Sequence, residues 1–146
     1  MLLFDAADVQ AMALCIWKEA RGEGNVGMQA VAWVIRNRAA DWYPGNPDPV
    51  HLVVFGKNQF TSMSVPSDPE FNLQPPEGDP QYAYCAGICP DILNNLMSDV
   101  TSGAHYYANL KYATSGWFAE NISGPDGNGT PQHPRTATIG NQCYYK

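Results

Sequence analysis

The sequence predicts a mainly α-helical fold with a small β element near the C-terminus. Three observations carry this. Val9, Met12, Ala13, Ile16, Trp17 and Ala20 recur at helical spacing and form one apolar stripe. Met28, Val31, Ala32 and Ile35 form a second stripe of the same period. Between Thr136 and Tyr145 the pattern changes to alternation around Ile139, Cys143 and Tyr145, the period of a strand.

Each element has its own signals. The first helix starts behind Asp5 or Asp8 as N-cap and stops at Gly22 and Gly24. The second runs from Asn25 or Val26 to about Ala40, with Arg36 and Arg38 where cations suit the helix dipole, and Asn37 and Arg38 tying off its end. Trp42 to Pro49 is a turn-rich loop, and Val50 to Phe55 reads equally as helix or strand. Lys57 to Pro80 holds five prolines and no lasting period, the pattern of a long functional loop. Gln81 to Thr101 is helical, with Ile88, Ile92, Leu93, Leu96 and Val100 as core candidates and Pro90 as a break or kink. His105-Tyr106-Tyr107 is extended, and a Gly/Asn/Ser-rich loop from Gly116 to Gly129 carries Trp117 and Phe118. No repeat or linker divides the chain, so residues 1–146 are expected to form a single domain.

Composition narrows the function. Lys plus Arg number 8 against 14 acids, for a net charge of −6, which excludes a basic nucleic-acid footprint. No apolar run is long enough to span a membrane. Met1-Leu2-Leu3-Phe4 is followed at once by Asp5 and Asp8, without the basic region and apolar core of a signal peptide. The expectation is a monomer made in the cytoplasm that acts elsewhere only after release. Cys15, Cys85, Cys89 and Cys143 are read as buried free thiols. A zinc site from Cys85, Cys89 and two of His51, His105 and His133 fits no closed ligand spacing, so neither metal nor cofactor is expected.

The chemistry centres on Trp17-Lys18-Glu19-Ala20-Arg21-Gly22-Glu23-Gly24. Glu19 falls in the last turn of an apolar helix, beside Trp17 and before a glycine break. A carboxyl held against such neighbours is desolvated, which favours its protonated form. A protonated carboxyl facing a cleft is what glycosidic-bond cleavage needs as general acid. A surface glutamate in a local cap contact would have the same sequence. Glu23 is the candidate second carboxylate of an acid pair.

The run Ile16 to Glu23, then Gly27-Met28-Gln29-Ala30-Val31-Ala32 and Val34-Ile35-Arg36-Asn37-Arg38, resembles the SleB-like cell wall hydrolase family. Later segments match in order: Gln59-Phe60-Thr61, Ser102-Gly103-Ala104 with Tyr106-Tyr107, Trp117, and Thr138-Ile139-Gly140-Asn141 with Tyr144-Tyr145. Gln142 and Ala108 depart from it, standing where many members have histidine (or, at Ala108, phenylalanine), and residues 116–134 look long for the family.

The resemblance implies a lysozyme-like or lytic-transglycosylase-like helical domain acting on the glycan strands of peptidoglycan. It implies one catalytic glutamate at a helix end, which maps to Glu19. Gln59, Tyr106, Tyr107, Trp117 and Asn141 are the expected substrate contacts, Gln59 through an N-acetyl group and the aromatics by stacking on sugar faces. Strand alternation sends one of Tyr106 and Tyr107 inward and the other outward, so at least one lines the cleft. Trp33 and Trp42 are read as packing residues. Hydrolysis instead of transglycosylation would need a second carboxylate from Glu23, Asp41 or Asp48. A non-catalytic glycan-binding module and a metal-dependent hydrolase are the remaining alternatives.

Overall fold

The computed structural model describes residues 1–113 and 115–146. Helix α1 (Ala6–Ala20) begins at Asp5, whose side chain accepts from the Asp8 backbone while Asp8 returns a bond to the Asp5 backbone. Such reciprocal caps satisfy amides that the first turn leaves open. Gly24, at φ 76°, reverses the chain into α2 (Gly24–Trp42), which starts slightly earlier and ends slightly later than its apolar stripe suggests. The ambiguous run after the loop is helical: α3 (Pro49–Phe55). The long irregular segment contains one short helix, α4 (Thr61–Ser64).

Helix α5 (Pro80–Leu93) carries Pro90 inside it and continues for three further residues. Ile92 and Leu93 are buried beyond the proline, so packing of that last turn outweighs the lost backbone bond. The helix then ends earlier than its sequence pattern suggests. Asn95 takes a positive φ of 60° and turns the chain, leaving Leu96 71% exposed rather than in the core.

The main core lies among the helices. Met12, Cys15 and Ile16 of α1 meet Met28, Val31 and Ile35 of α2, and α3 and α5 close it with Val53, Val54, Cys85, Cys89 and Ile92. All four cysteines are free and buried, and Cys85 Sγ lies 3.4 Å from Met28 Sδ. Among the described residues, no helix is long and apolar enough to cross a membrane.

The C-terminal sheet is antiparallel in the order β1-β3-β2, built from β1 (Tyr106–Ala108), β2 (Arg135–Ile139) and β3 (Gln142–Tyr145). The predicted terminal strand is thus a hairpin, with β3 central. Alternation gives β3 two buried faces: Tyr144 packs on Ala30 and Val34 of α2, and Cys143 and Tyr145 pack on Ile122. Ile122 belongs to a π-helical turn, Ala119–Ser123, in the segment read as open loop.

Asn37 and Arg38 do not tie off α2. Both are buried and reach sideways to the segment before β1: Asn37 donates to Asp99 and to the Ala104 carbonyl, and Arg38 Nε donates to the His105 carbonyl at 2.6 Å. Asp99 also accepts from the Thr101 amide and hydroxyl and from the Gly103 amide. Burial pushes the Asp99 carboxyl up, but these bonds outweigh it and hold its pKa below the ordinary value. A depressed folded pKa gives stability that is complete above the unfolded value and lost as pH falls through the folded one. Asp99→Asn is therefore expected to lower the melting temperature at neutral pH. The gap to wild type should narrow as the pH drops below about 4. A gap that does not change with pH in thermal melts would contradict this.

Candidate active site

Glu19 ends α1 with its side chain half-buried and held at both oxygens. Oε1 accepts from the Tyr107 hydroxyl at 2.7 Å and Oε2 from Ser62 Oγ at 2.9 Å. Tyr107 is delivered by β1, and Ser62 by α4. The Tyr107 hydroxyl sits at the buried end of its ring. Burial first, then the Glu19 charge and the bond to it, push its pKa well above the usual phenol value. It therefore stays a donor to Glu19 at ordinary pH. Ser62 has no distinctive signal of its own; the clue is its place one residue after the Gln59-Phe60-Thr61 element.

Glu19 opens onto a cleft of about 330 Å³, and four of the expected contacts, Gln59, Tyr106, Tyr107 and Trp117, line it too. Both tyrosines reach the wall, although they alternate along β1: Tyr107 stacks on Tyr144 at 5.8 Å, and Tyr106 packs against Trp42 and His133. Trp117 stands 64% exposed at the rim, carried by the segment around residues 116–134.

Gln59 has a fixed amide. Its Nε2 donates to the Leu52 carbonyl and the Tyr43 hydroxyl, while its buried Oε1 has no partner among the described residues. Gly56 makes room for this: a Cβ there would stand 2.3 Å from the Leu52 oxygen and 2.5 Å from Gln59 Nε2.

Two cleft residues differ from what the sequence predicts. Trp42 is 37% exposed and part of the wall rather than a packing residue. Arg38 lies under it, its guanidinium 5.1 Å from the Trp42 ring, 5.2 Å from Phe60 and 5.6 Å from Tyr106. Burial pulls the Arg38 pKa down, and the nearby tyrosines and Glu19 oppose it. A polar helix end beside an aromatic Pro/Gly loop was the available signal for this pair.

Other candidates lie elsewhere. Asn141 is exposed in the β2–β3 turn, outside the cleft wall, because β1 pairs with β3 only from Cys143 to Tyr145 and Asn141 lies beyond that pairing. Glu23 is also outside it: the glycine break turns it toward that hairpin, where its carboxylate faces Gly140. Asp41 pairs with His105 at 2.7 Å, and Asp48 precedes α3. Among the described residues, Glu19 is the carboxylate of the cleft wall, and no group of three or more His, Cys, Asp or Glu side chains is placed to hold a metal.

Helical core, C-terminal sheet and cleft together define an architecture shared with bacterial lytic catalytic domains. The structure resembles the catalytic domain of the germination-specific lytic transglycosylase SleB from Bacillus anthracis, with a TM-score of 0.68 and 29% identity over 98% of this chain and 97% of that one. The SleB catalytic domain from Bacillus cereus gives the same TM-score and identity, with 98% and 92% covered. The chain belongs to the Cell Wall Hydrolase family, whose sequence pattern matches residues 22–145. That span begins three residues after Glu19. The spore cortex-lytic enzyme of Halalkalibacterium halodurans is 39% identical over 110 residues, 75% of this chain and 29% of that protein. The spore cortex-lytic enzyme of Oceanobacillus iheyensis is 36% identical over 75% of this chain and 35% of that protein. The chain thus spans well under half the length of these curated relatives.

The buried phenols give a test of this geometry. Burial also raises Tyr144 and Tyr145, the latter to about 12. Ultraviolet absorbance titration of Tyr107→Phe should show as many tyrosines ionising near pH ~10 as wild type. Loss of one group from that set would mean that the Tyr107 hydroxyl is open to water and free of Glu19.

Proposed function

We propose that this chain cleaves the glycan strands of peptidoglycan between N-acetylmuramic acid and N-acetylglucosamine, as a lytic transglycosylase with Glu19 as its acid and base. The observation that supports this most is the pairing of one doubly held carboxyl with a cleft wall that, among the described residues, offers no second one. A retaining or inverting hydrolase uses two carboxyl groups flanking the bond. Glu23, Asp41 and Asp48, the candidates for that second role, lie outside the wall.

In the proposed reaction Glu19 gives its proton to the oxygen linking the two sugars as the bond from that oxygen to C1 of the muramoyl residue breaks. The carboxylate then accepts the proton of the same residue's 6-hydroxyl, whose oxygen bonds C1. Glu19 is regenerated, the product is a 1,6-anhydro-muramoyl end, and no water is consumed. Ser62 and Tyr107 fix the carboxyl rotamer through both half-reactions. Tyr106, Trp42 and Trp117 offer ring faces to the sugars, and Gln59 lines the same cleft as the candidate contact to an N-acetyl group. The substrate partner is the cell-wall glycan, met by a monomer after release from the cell that makes it. A glycan-binding module on the same fold would gain nothing from a carboxyl fixed in this way.

Glu19→Gln is expected to reduce solubilisation of purified peptidoglycan by roughly 10²–10⁴-fold with an unchanged circular dichroism spectrum, the usual scale for losing a general acid. Glu23→Gln should stay near wild type. The reverse pattern would reassign the acid. Mass spectrometry of the wild-type digest should show anhydro-muropeptides; reducing muramic ends would mean hydrolysis.

A further inference from the structure

Residues 57–79 carry no regular structure apart from α4, yet they deliver Gln59, Phe60 and Ser62 to the cleft region. The last turn of α1 and the residue after it hold this segment in place. Trp17 Nε1 donates to Asp79 at 3.0 Å. Arg21 stacks 4.3 Å over the Trp17 ring and makes a two-point contact with Glu70 at 2.8 and 2.9 Å. Between these lies Lys18, only 7% exposed. Its Nζ donates to the Ser62 carbonyl at 3.1 Å and to the Phe71 carbonyl at 2.8 Å. Among the described residues it forms no salt bridge.

A buried ammonium without a counter-charge is costly, and its usual remedy is a carboxylate. Here the charge is spent on two carbonyls of one irregular segment, and one of them belongs to the residue that bonds Glu19. The Arg21–Glu70 pair is about a third exposed on each side and screened by water, so it is the weaker tether. We propose that Lys18 is a positioning residue for Glu19. Its ammonium pins the Ser62 peptide, and the pinned peptide aims Ser62 Oγ at Glu19 Oε2. The neighbouring side chains 18 and 19 thus close a loop through Ser62: one holds its backbone, the other receives its hydroxyl. The inference rests on Glu19 being the acid of the proposed reaction.

Lys18→Met keeps length and bulk but removes the charge. It should lower kcat on soluble glycan fragments about tenfold, with KM changed by less than about twofold, as expected for a displaced catalytic group. Ser62→Ala should do the same, and the double variant should be no worse than the poorer single one, because both remove one contact. Lys18→Arg, which keeps the charge and folds in place of Lys18→Met if that variant does not, should recover most of the rate. Glu70→Ala cuts the other tether of the same segment and should leave kcat within about twofold. A readout without substrate completes the test: the Glu19 carboxyl ¹³C resonance should move in the same direction in Lys18→Met and Ser62→Ala. Multiplied losses in the double variant, an equal loss in Glu70→Ala, or an unmoved resonance would each overturn the proposal. If the resonance moves while both single variants keep their kcat, the Lys18 linkage stands and the role of Glu19 as acid falls.

Discussion

The carboxyl of Glu19 joins three parts of the chain that the sequence keeps far apart. Its two donors stand 43 and 88 residues away, on α4 and β1. A free glutamate side chain samples many rotamers, and ordering one costs up to about 2 kcal/mol. The hydrogen bonds from Ser62 and Tyr107 offset that cost, since each contributes about 1 kcal/mol net. The remaining structure serves to hold those donors still. Ser62 is aimed by the irregular segment packed against the end of α1. Tyr107 is aimed by the register of β1 on β3, which sets Tyr107 opposite Tyr144 and stacks the two rings.

The cleft follows from the same arrangement. Once β1 is fixed, Tyr106 comes beside Trp42 at the end of α2, and the Arg38 cation beneath binds the rings into one wall. The segment around residues 116–134 crosses the far side, anchored where Phe118 packs on Tyr145 and where the Tyr145 hydroxyl donates to the Gly127 carbonyl. Gln59 lines the cleft too, its Nε2 held by the Leu52 carbonyl and the Tyr43 hydroxyl. One carboxyl, the guanidinium of Arg38 and several ring faces suit a neutral sugar chain better than a highly charged ligand.

Much of this was legible in the sequence where periodicity is strong. The stripes of α1 and α2, the alternation near the C-terminus and the glycine break after Glu19 each translate into one element. Glu19, Gln59, Tyr106, Tyr107 and Trp117 are brought into one cleft, although they are spread over nearly a hundred residues. What stayed hidden depends on tertiary contact. Ser62 is one serine among several, and only the fold of an aperiodic loop gives it a partner. Trp42 and Arg38 look like a helix end, because their cleft side is created by a strand more than sixty residues later. Leu96 fits a helical stripe, but the chain leaves the helix before reaching it. Asn141 and Glu23 sit near the relevant residues in sequence, but Asn141 lies in the β2–β3 turn and Glu23 faces that turn at Gly140.

The most direct test is the crystal structure of Glu19→Gln with an alternating N-acetylglucosamine–N-acetylmuramic acid tetrasaccharide bound. The oxygen of one glycosidic link should lie within hydrogen-bond reach of the side chain at position 19, with sugar faces on Tyr106 or Trp42. A tetrasaccharide seated instead in the separate groove between Leu14, Phe55 and Tyr82, with position 19 out of reach, would contradict the assignment of this cleft.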